Sequence, residues 1–305
     1  MSKIIRIGTR DSELALWQAH TVQKKLNDLG YKTEITAVKS QGDIILDKPL
    51  YELGITGIFT KTLDIAMLNG QVDIAVHSMK DVPTALPIGI VQAAVLERAN
   101  TLDILVHKGN LDFLNSSGTI ATGSLRRQAQ WLNKYPNHNV VDLRGNVNTR
   151  MQKLHDRDWN GAIFAAAGLE RINLKPENYI DLSWMIPAPA QGAMVVVAMK
   201  NDDFCREALA KLNHAETEIC THIEREFLKT LEGGCTAPIG ALATFTSDKI
   251  DFEGVLFSLD GKEKHTIKKS CTFDSYKNFG KNCAEEILNN GGNVLMESIR
   301  RDLKK

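Results

Sequence analysis

One thiol, one carboxylate and a pair of arginines stand where this chain could do chemistry. Cys235 lies in Leu231-Glu232-Gly233-Gly234-Cys235-Thr236-Ala237-Pro238, where an apolar-periodic helix pattern stops on two glycines and Pro238 keeps it from resuming. The thiol therefore sits on a short loop, either as a reactive group or as the small apolar filler that most free cysteines are. Asp81 lies in Ser78-Met79-Lys80-Asp81-Val82-Pro83, just after the apolar run Asp73 to His77. That places it at the carboxyl end of a strand, as a turn former or a functional acid. Beside Lys80, and with arginines near, it would be held ionised, able to stabilise a developing cation and to move protons to and from nitrogen. Arg126 and Arg127 fall in the first turn of a helix that starts at Leu125, an end that already concentrates positive potential. Two cations there are unfavourable unless an anion sits between them and the free backbone N–H groups, so the pattern points to an anionic ligand.

The elements that must hold these groups read as repeated strand-loop-helix units. Lys3 to Gly8 is a strand, and Ser12 caps a helix whose apolar face runs Leu14, Trp17, Val22, Leu26 and Leu29. A second strand spans Thr33 to Lys39, a helix Phe59 to Asn69 and a third strand Asp73 to His77. After Ile90 to Leu96 and Asp103 to Val106 the pattern restarts with strands Thr119 to Thr122, Asn139 to Leu143 and Gly161 to Ala165. Each is followed by arginine near the strand-to-helix junction: Arg126 and Arg127, Arg144 and Arg150, then Arg171. Pro187 to Gly192 reads as a crossover into a central strand, Ala193 to Met199. A helix then carries Ile219, Ile223, Phe227 and Leu231 to the Gly-Gly stop. Shorter β-type runs (Leu242 to Thr246, Ile250 to Phe257, Lys264 to Ser270) and a helix from Ser275 to Leu288 complete the chain.

With 305 residues, two or three domains are expected, since domains run to roughly 100–200 residues. We divide the chain into an α/β domain 1 (1–98 plus 193–213), an α/β domain 2 (99–192) and a small α+β domain 3 (214–305). The expected fold class is α/β, with two lobes flanking a central cleft. Lys+Arg and Asp+Glu both number 37 and only 6% of residues are aromatic, which argues against nucleic acid or an anionic membrane as partner. No Walker-type loop is present, so nucleotide phosphate is also disfavoured. Six of the 13 arginines nevertheless lie between positions 126 and 171, and such a cluster suits a small ligand bearing several carboxylates or phosphates. Five cysteines without a Cys-x-x-Cys pair argue against a disulfide framework and a zinc site, and no metal is expected. With no signal peptide or membrane span legible, the chain reads as cytoplasmic.

Seven stretches in order resemble the porphobilinogen deaminase (hydroxymethylbilane synthase) family: Ile7-Gly8-Thr9-Arg10-Asp11-Ser12, Asp73 through Pro83, Gly123-Ser124-Leu125-Arg126-Arg127-Gln128, Leu143-Arg144-Gly145-Asn146-Val147-Asn148-Thr149-Arg150, Ala165-Ala166-Ala167-Gly168-Leu169, Gln191-Gly192-Ala193, and Glu224-Arg225-Glu226-Phe227-Leu228 through Cys235. The resemblance implies two periplasmic-binding-protein-like lobes and a third, cofactor-bearing domain. It further implies that Cys235 carries a dipyrromethane cofactor through a thioether. Onto this primer four porphobilinogen molecules are condensed with loss of ammonia, and hydroxymethylbilane is released by hydrolysis. Asp81 would be the catalytic carboxylate. Lys80, Asp81, Ser124, Arg126, Arg127 and Arg150 would hold the cofactor. Arg10, Ser12, Arg144, Arg150, Arg171 and Gln191, with Phe59 as a neighbouring aromatic, would bind substrate or the growing chain. A monomer is implied, with transient hand-over of product to the next enzyme. The chain departs from the family at Gly54-Ile55-Thr56-Gly57, which lacks the usual lysine, and at Ala198-Met199-Lys200. A non-enzymatic two-lobed protein that binds small anions would share the arginines but needs neither Asp81 nor a modified thiol. Intact-protein mass spectrometry separates the two readings: a two-pyrrole adduct on Cys235 is expected, and active protein of unmodified mass would sink the primer mechanism.

Overall fold

The computed structural model describes residues 3–39, 57, 60–231 and 237–303. Cys235, Phe59 and Thr56 lie outside them. The described chain packs as two compact units, one of residues up to 99 together with 192–218, the other of residues 100–191 and 219–303. Residues 219–303 fall in the same compact unit as residues 100–191.

In chain order the first unit contributes β1 (Ile4–Arg10), α1 (Glu13–Asp28), β2 (Lys32–Val38), α2 (Lys61–Leu68), β3 (Ile74–Ser78), a single 3-10 turn (Met79–Asp81) and β4 (Ile90–Val95). The second unit follows with β5 (Asp103–His107), β6 (Thr119–Ala121), α3 (Leu125–Lys134), β7 (Asn139–Val141), α4 (Val147–Asp156), β8 (Gly161–Ala165), α5 (Ala166–Arg171) and β9 (Tyr179–Asp181). The chain returns to the first unit for β10 (Met194–Met199) and α6 (Asp203–Ala210) and leaves it along α7 (Ala215–Thr230). It ends with β11 (Ile239–Phe245), β12 (Ile250–Phe257), β13 (Lys264–Cys271), α8 (Phe279–Ile287) and α9 (Asn293–Asp302). Neither β9 nor α9 was anticipated from the sequence: β9 has three residues, and α9 lies beyond the Gly291-Gly292 pair that reads as a stop.

The first sheet has the order β2-β1-β3-β10-β4 and the second β7-β6-β8-β5-β9. In each, three neighbouring strands run parallel and the fourth is antiparallel: β10 between β3 and β4, and β5 between β8 and β9. Successive parallel strands lie on opposite sides of the first one in both sheets, which creates a point of reversal at the carboxyl ends of β1 and β3 and again at those of β6 and β8. Ligands of open α/β sheets bind at such points.

One face of the first sheet (Ile5, Ile7, Ile74, Val76, Val196, Ala198) is covered by α1 and α6. The side of α1 that packs down is Ala15, Gln18, Ala19, Val22 and Leu26, whereas Trp17 and Leu29 are exposed, which corrects the face expected from the sequence. The alanines let the helix axis approach the sheet more closely than a stripe of Trp and Leu would. The three-stranded sheet β11-β12-β13 packs on Ile223 and Phe227 of α7 and on Ala284, Ile287, Met296 and Ile299 of the last two helices. Within the second unit, Val255 and Phe257 of β12 meet Ala129 of α3. The following turn reaches the same helix at Gly261, where a Cβ would stand 2.3 Å from the Ala129 carbonyl. Glycine is required there, because φ is +73° as well. The helix that carries Arg126 and Arg127 is therefore fixed from outside by the carboxyl-terminal sheet. Among the described residues no helix is long and apolar enough to cross a membrane.

Candidate functional site

At the reversal point of the first sheet, Arg10 ends β1, Ser12 occupies the N-cap of α1, and Asp81 follows β3 on its 3-10 turn. These three residues line one pocket of about 390 Å³, its open mouth included, together with Gln18, His77 and Ser78. The sequence thus identified three of the pocket's polar groups and missed three. Ser12 makes no side-chain cap hydrogen bond to α1, contrary to the capping role expected of it. Gln18 is 2% exposed and donates from Nε2 to Ser78 Oγ at 2.9 Å. Its signal was a polar residue in the buried stripe of α1, legible only once the right stripe is known. Lys80 adjoins Asp81 on the same turn.

Asp81 is half-buried, and its carboxylate makes no ion pair or hydrogen bond with another of the described residues. Among the described residues it is the one acid lining the pocket. His77 is buried, and its Nε2 has no hydrogen-bond partner among the described residues. Burial, helped by the charge of Arg10, pushes its pKa from 6.5 down to about 4. The imidazole is thus neutral at ordinary pH, and Arg10 supplies the pocket's positive charge.

The second group of expected residues lies in the second unit. Arg126 and Arg127 are buried in the first turn of α3, and both rest on Asp103 at the start of β5. Arg126 Nη1 meets Asp103 Oδ2 at 2.7 Å and the Ile186 carbonyl at 2.8 Å. Arg127 places Nη2 at 2.7 Å and Nε at 2.9 Å from Asp103 Oδ1, and Nη1 donates to the Ile163 carbonyl of β8. The anion that the sequence required beside these arginines is therefore supplied by the protein itself. Asp103 was read only as the first residue of a strand. Burial alone would raise its pKa, but the charges of Arg126 and Arg127 outweigh that and hold it well below the usual carboxylate range. Gln191, fully buried, donates from Nε2 to Asp103 Oδ1 and to the Thr101 carbonyl, both at 2.9 Å. Ser124 is the N-cap of α3 and accepts from the Arg127 backbone N–H at 3.5 Å.

Arg126 retains a buried Nε–H without a hydrogen-bond partner among the described residues. A carboxylate is the acceptor to which such an N–H donates best, so the donor set suits the carboxylate-bearing cofactor that the resemblance implies. Arg150 turns its Nε onto the Gly145 carbonyl at 2.7 Å, just after Arg144, which is buried. Arg171 ends α5; burial lowers its pKa to about 10, against the opposing charge of Glu170. No group of His, Cys, Asp and Glu among the described residues could hold a metal ion.

A family model described as "Porphobilinogen deaminase, dipyromethane cofactor binding domain" matches residues 5–207, and one described as "Porphobilinogen deaminase, C-terminal domain" matches residues 218–289. Curated relatives named porphobilinogen deaminase include those of Syntrophomonas wolfei, 39% identical over 97% of this chain and 99% of the relative, and of Desulfitobacterium hafniense, 40% identical over 99% of each. A chloroplastic porphobilinogen deaminase of Oryza sativa is 40% identical over 97% of this chain and 87% of its own. Among solved structures, the periplasmic VFT2 domain of Bordetella pertussis BvgS aligns over 68% of this chain and 86% of its own, at 13% identity and a TM-score of 0.42. The fold assignment rests on the strand order above rather than on that neighbour.

Two outcomes follow from the buried charges. Asp103→Asn would leave two guanidinium groups without their counter-ion and is expected to lower unfolding free energy by about 3–5 kcal/mol in urea titration; a loss below about 1 kcal/mol would mean the arginines have another anion. For His77, the unfolded chain gains a proton below its pKa of 6.5 while the folded chain does not until about 4. Stability that is whole above pH 6.5 is thus lost as the pH falls toward 4, by about 3 kcal/mol. His77→Gln should lose this slope, and equal slopes in the two proteins would contradict the assignment.

Proposed function

Because the chain belongs to the porphobilinogen deaminase family, we propose that Asp81 is its catalytic acid–base group and that Arg10 and Ser12 bind the incoming pyrrole. The protein is a transferase that condenses four porphobilinogen molecules and releases hydroxymethylbilane, and it uses a dipyrromethane cofactor. The reading as a non-enzymatic anion-binding protein is set aside.

The observation that carries the site assignment is the pairing of an unengaged carboxylate with one arginine in a single pocket. Porphobilinogen presents an aminomethyl group, a pyrrole N–H and two carboxylates. Arg10 with the Ser12 hydroxyl would take a substrate carboxylate, a charge-assisted contact that fixes the ring. Asp81 would then face the pyrrole nitrogen. Its ionised oxygens can accept that N–H, stabilise the positive charge that builds as ammonia departs, and carry the proton the ring loses on coupling. The neutral His77 adds no second cation to oppose that charge. When bound, the cofactor supplies the nucleophilic pyrrole carbon to which the first unit is joined. We assign its thiol anchor to Cys235 and its carboxylate contacts to Lys80, Ser124, Arg126, Arg127 and Arg150. Arg144, Arg171, Gln191 and Phe59 complete the proposed contacts to the growing chain, with Gln191 acting through Asp103 rather than by direct touch. The described cysteines are free thiols, three of them buried, which supports work in a reducing compartment such as the cytoplasm.

Asp81→Asn keeps the shape of the side chain and removes its charge. The variant should fold normally and lose about 10²–10⁴ in kcat with a smaller change in KM. Turnover within a few-fold of the parent protein would remove Asp81 from the chemistry.

A further inference from the structure

Glu224 lies in α7 and is fully buried, yet the reaction as described above gives it no task. Each of its two carboxylate oxygens accepts from a backbone amide, the two amides belonging to different segments. The Ala190 N–H donates to Oε2 at 2.6 Å, and the Ala243 N–H of β11 donates to Oε1 at 2.7 Å. Ala190 has φ of +63°, a left-handed conformation that a side chain disfavours and that persists only where surroundings impose it. Gly192, two residues on, has φ of +86°. Between them stands Gln191, whose carboxamide is aimed at Asp103 and Thr101. The chain also passes from the second unit to the first at this point.

These contacts form one connected series. Glu224 holds the Ala190 amide, the strained backbone at Ala190 directs Gln191, Gln191 donates to Asp103, and Asp103 carries Arg126 and Arg127. We propose that Glu224 is a positioning residue for the arginine pair, acting as a clamp on Ala190 that keeps Gln191 against Asp103. This inference rests on the reading that the pair serves the cofactor's carboxylates. It also explains the indirect part given to Gln191, which serves as a strut for Asp103. A carboxylate suits the clamp because the Ala190 and Ala243 amides are both N–H donors: an amide end would present an N–H of its own to one of them.

Glu224→Gln, Gln191→Ala, the double variant and Ala190→Gly test the clamp. Hydrogen exchange over residues 186–194 reads it without any ligand and should rise at least about tenfold in Glu224→Gln. The fraction of protein carrying the two-pyrrole adduct should fall at least about twofold and KM should rise about tenfold, with a native circular dichroism spectrum. Gln191→Ala should act in the same direction, and the double variant should be no worse than the more affected single one, because both break one series. Ala190→Gly relaxes the backbone without deleting a partner, so it should raise KM about threefold with no fall in melting temperature. It serves where Glu224→Gln fails to fold. Unchanged exchange, normal adduct and KM in Glu224→Gln, multiplying effects in the double variant, or a parental KM in Ala190→Gly would each overturn the clamp. The parent protein separates this from the functional reading: lack of adduct and turnover in the parent counts against that reading, while exchange still decides the clamp.

Discussion

Two guanidinium groups and one carboxylate, all out of solvent, set the geometry of the second unit. An ion group of this kind adds little net stability, since desolvation offsets most of the attraction, but removing any member leaves an uncompensated charge. Asp103 starts β5, the arginines start α3, and the carbonyls that take one further donor from each arginine belong to β8 and to the segment at Ile186. The charges therefore join two strands, a helix and a connecting segment that backbone pairing alone would leave free to shift. The arginines are held in place by the protein's own carboxylate, so in the proposed role little ordering would remain to oppose binding.

The two acids at strand ends show how placement divides labour. Asp103 is saturated by Arg126, Arg127 and Gln191, and its charge is consumed in holding them. Asp81 stands half-buried in a pocket with Arg10 at hand and no bond to another described residue. Residue type is the same in both. What differs is that one begins a strand beneath a helix end and the other follows a strand into open space.

That difference also marks how far the sequence could be read. Strand and helix alternation, the carboxyl-end position of Arg10 and Asp81 and the junction arginines were legible because they depend on local periodicity and on punctuation by glycine and proline. The side of α1 that packs down was not, because Trp17 and Leu29 outweigh Ala15 and Ala19 in any hydrophobic pattern while the sheet selects the small residues for close approach. Asp103 and Glu224 were missed for a related reason. Each acts on residues far along the chain, Glu224 on Ala190 and Asp103 on Arg126, and no local pattern carries such pairings. The argument that two cations at a helix start demand an anion was sound, but it could not say that the anion was 23 residues upstream in the same chain.

The strand order of the first sheet bears on how the protein is made. Between β3 and β4 runs β10, a strand that the chain reaches only after building the whole of the β5–β9 sheet. During synthesis the amino-terminal half thus waits, its third and fourth strands lacking a common neighbour, until residues 194–199 have emerged. Non-local pairing of this kind slows folding and leaves apolar edges open in the meantime. The second sheet does not wait in this way, because β5 precedes the strands it joins: the β5–β9 sheet can form before β10 closes the sheet that holds Asp81, and residues 219–303, which complete the arginines' unit, emerge last of all.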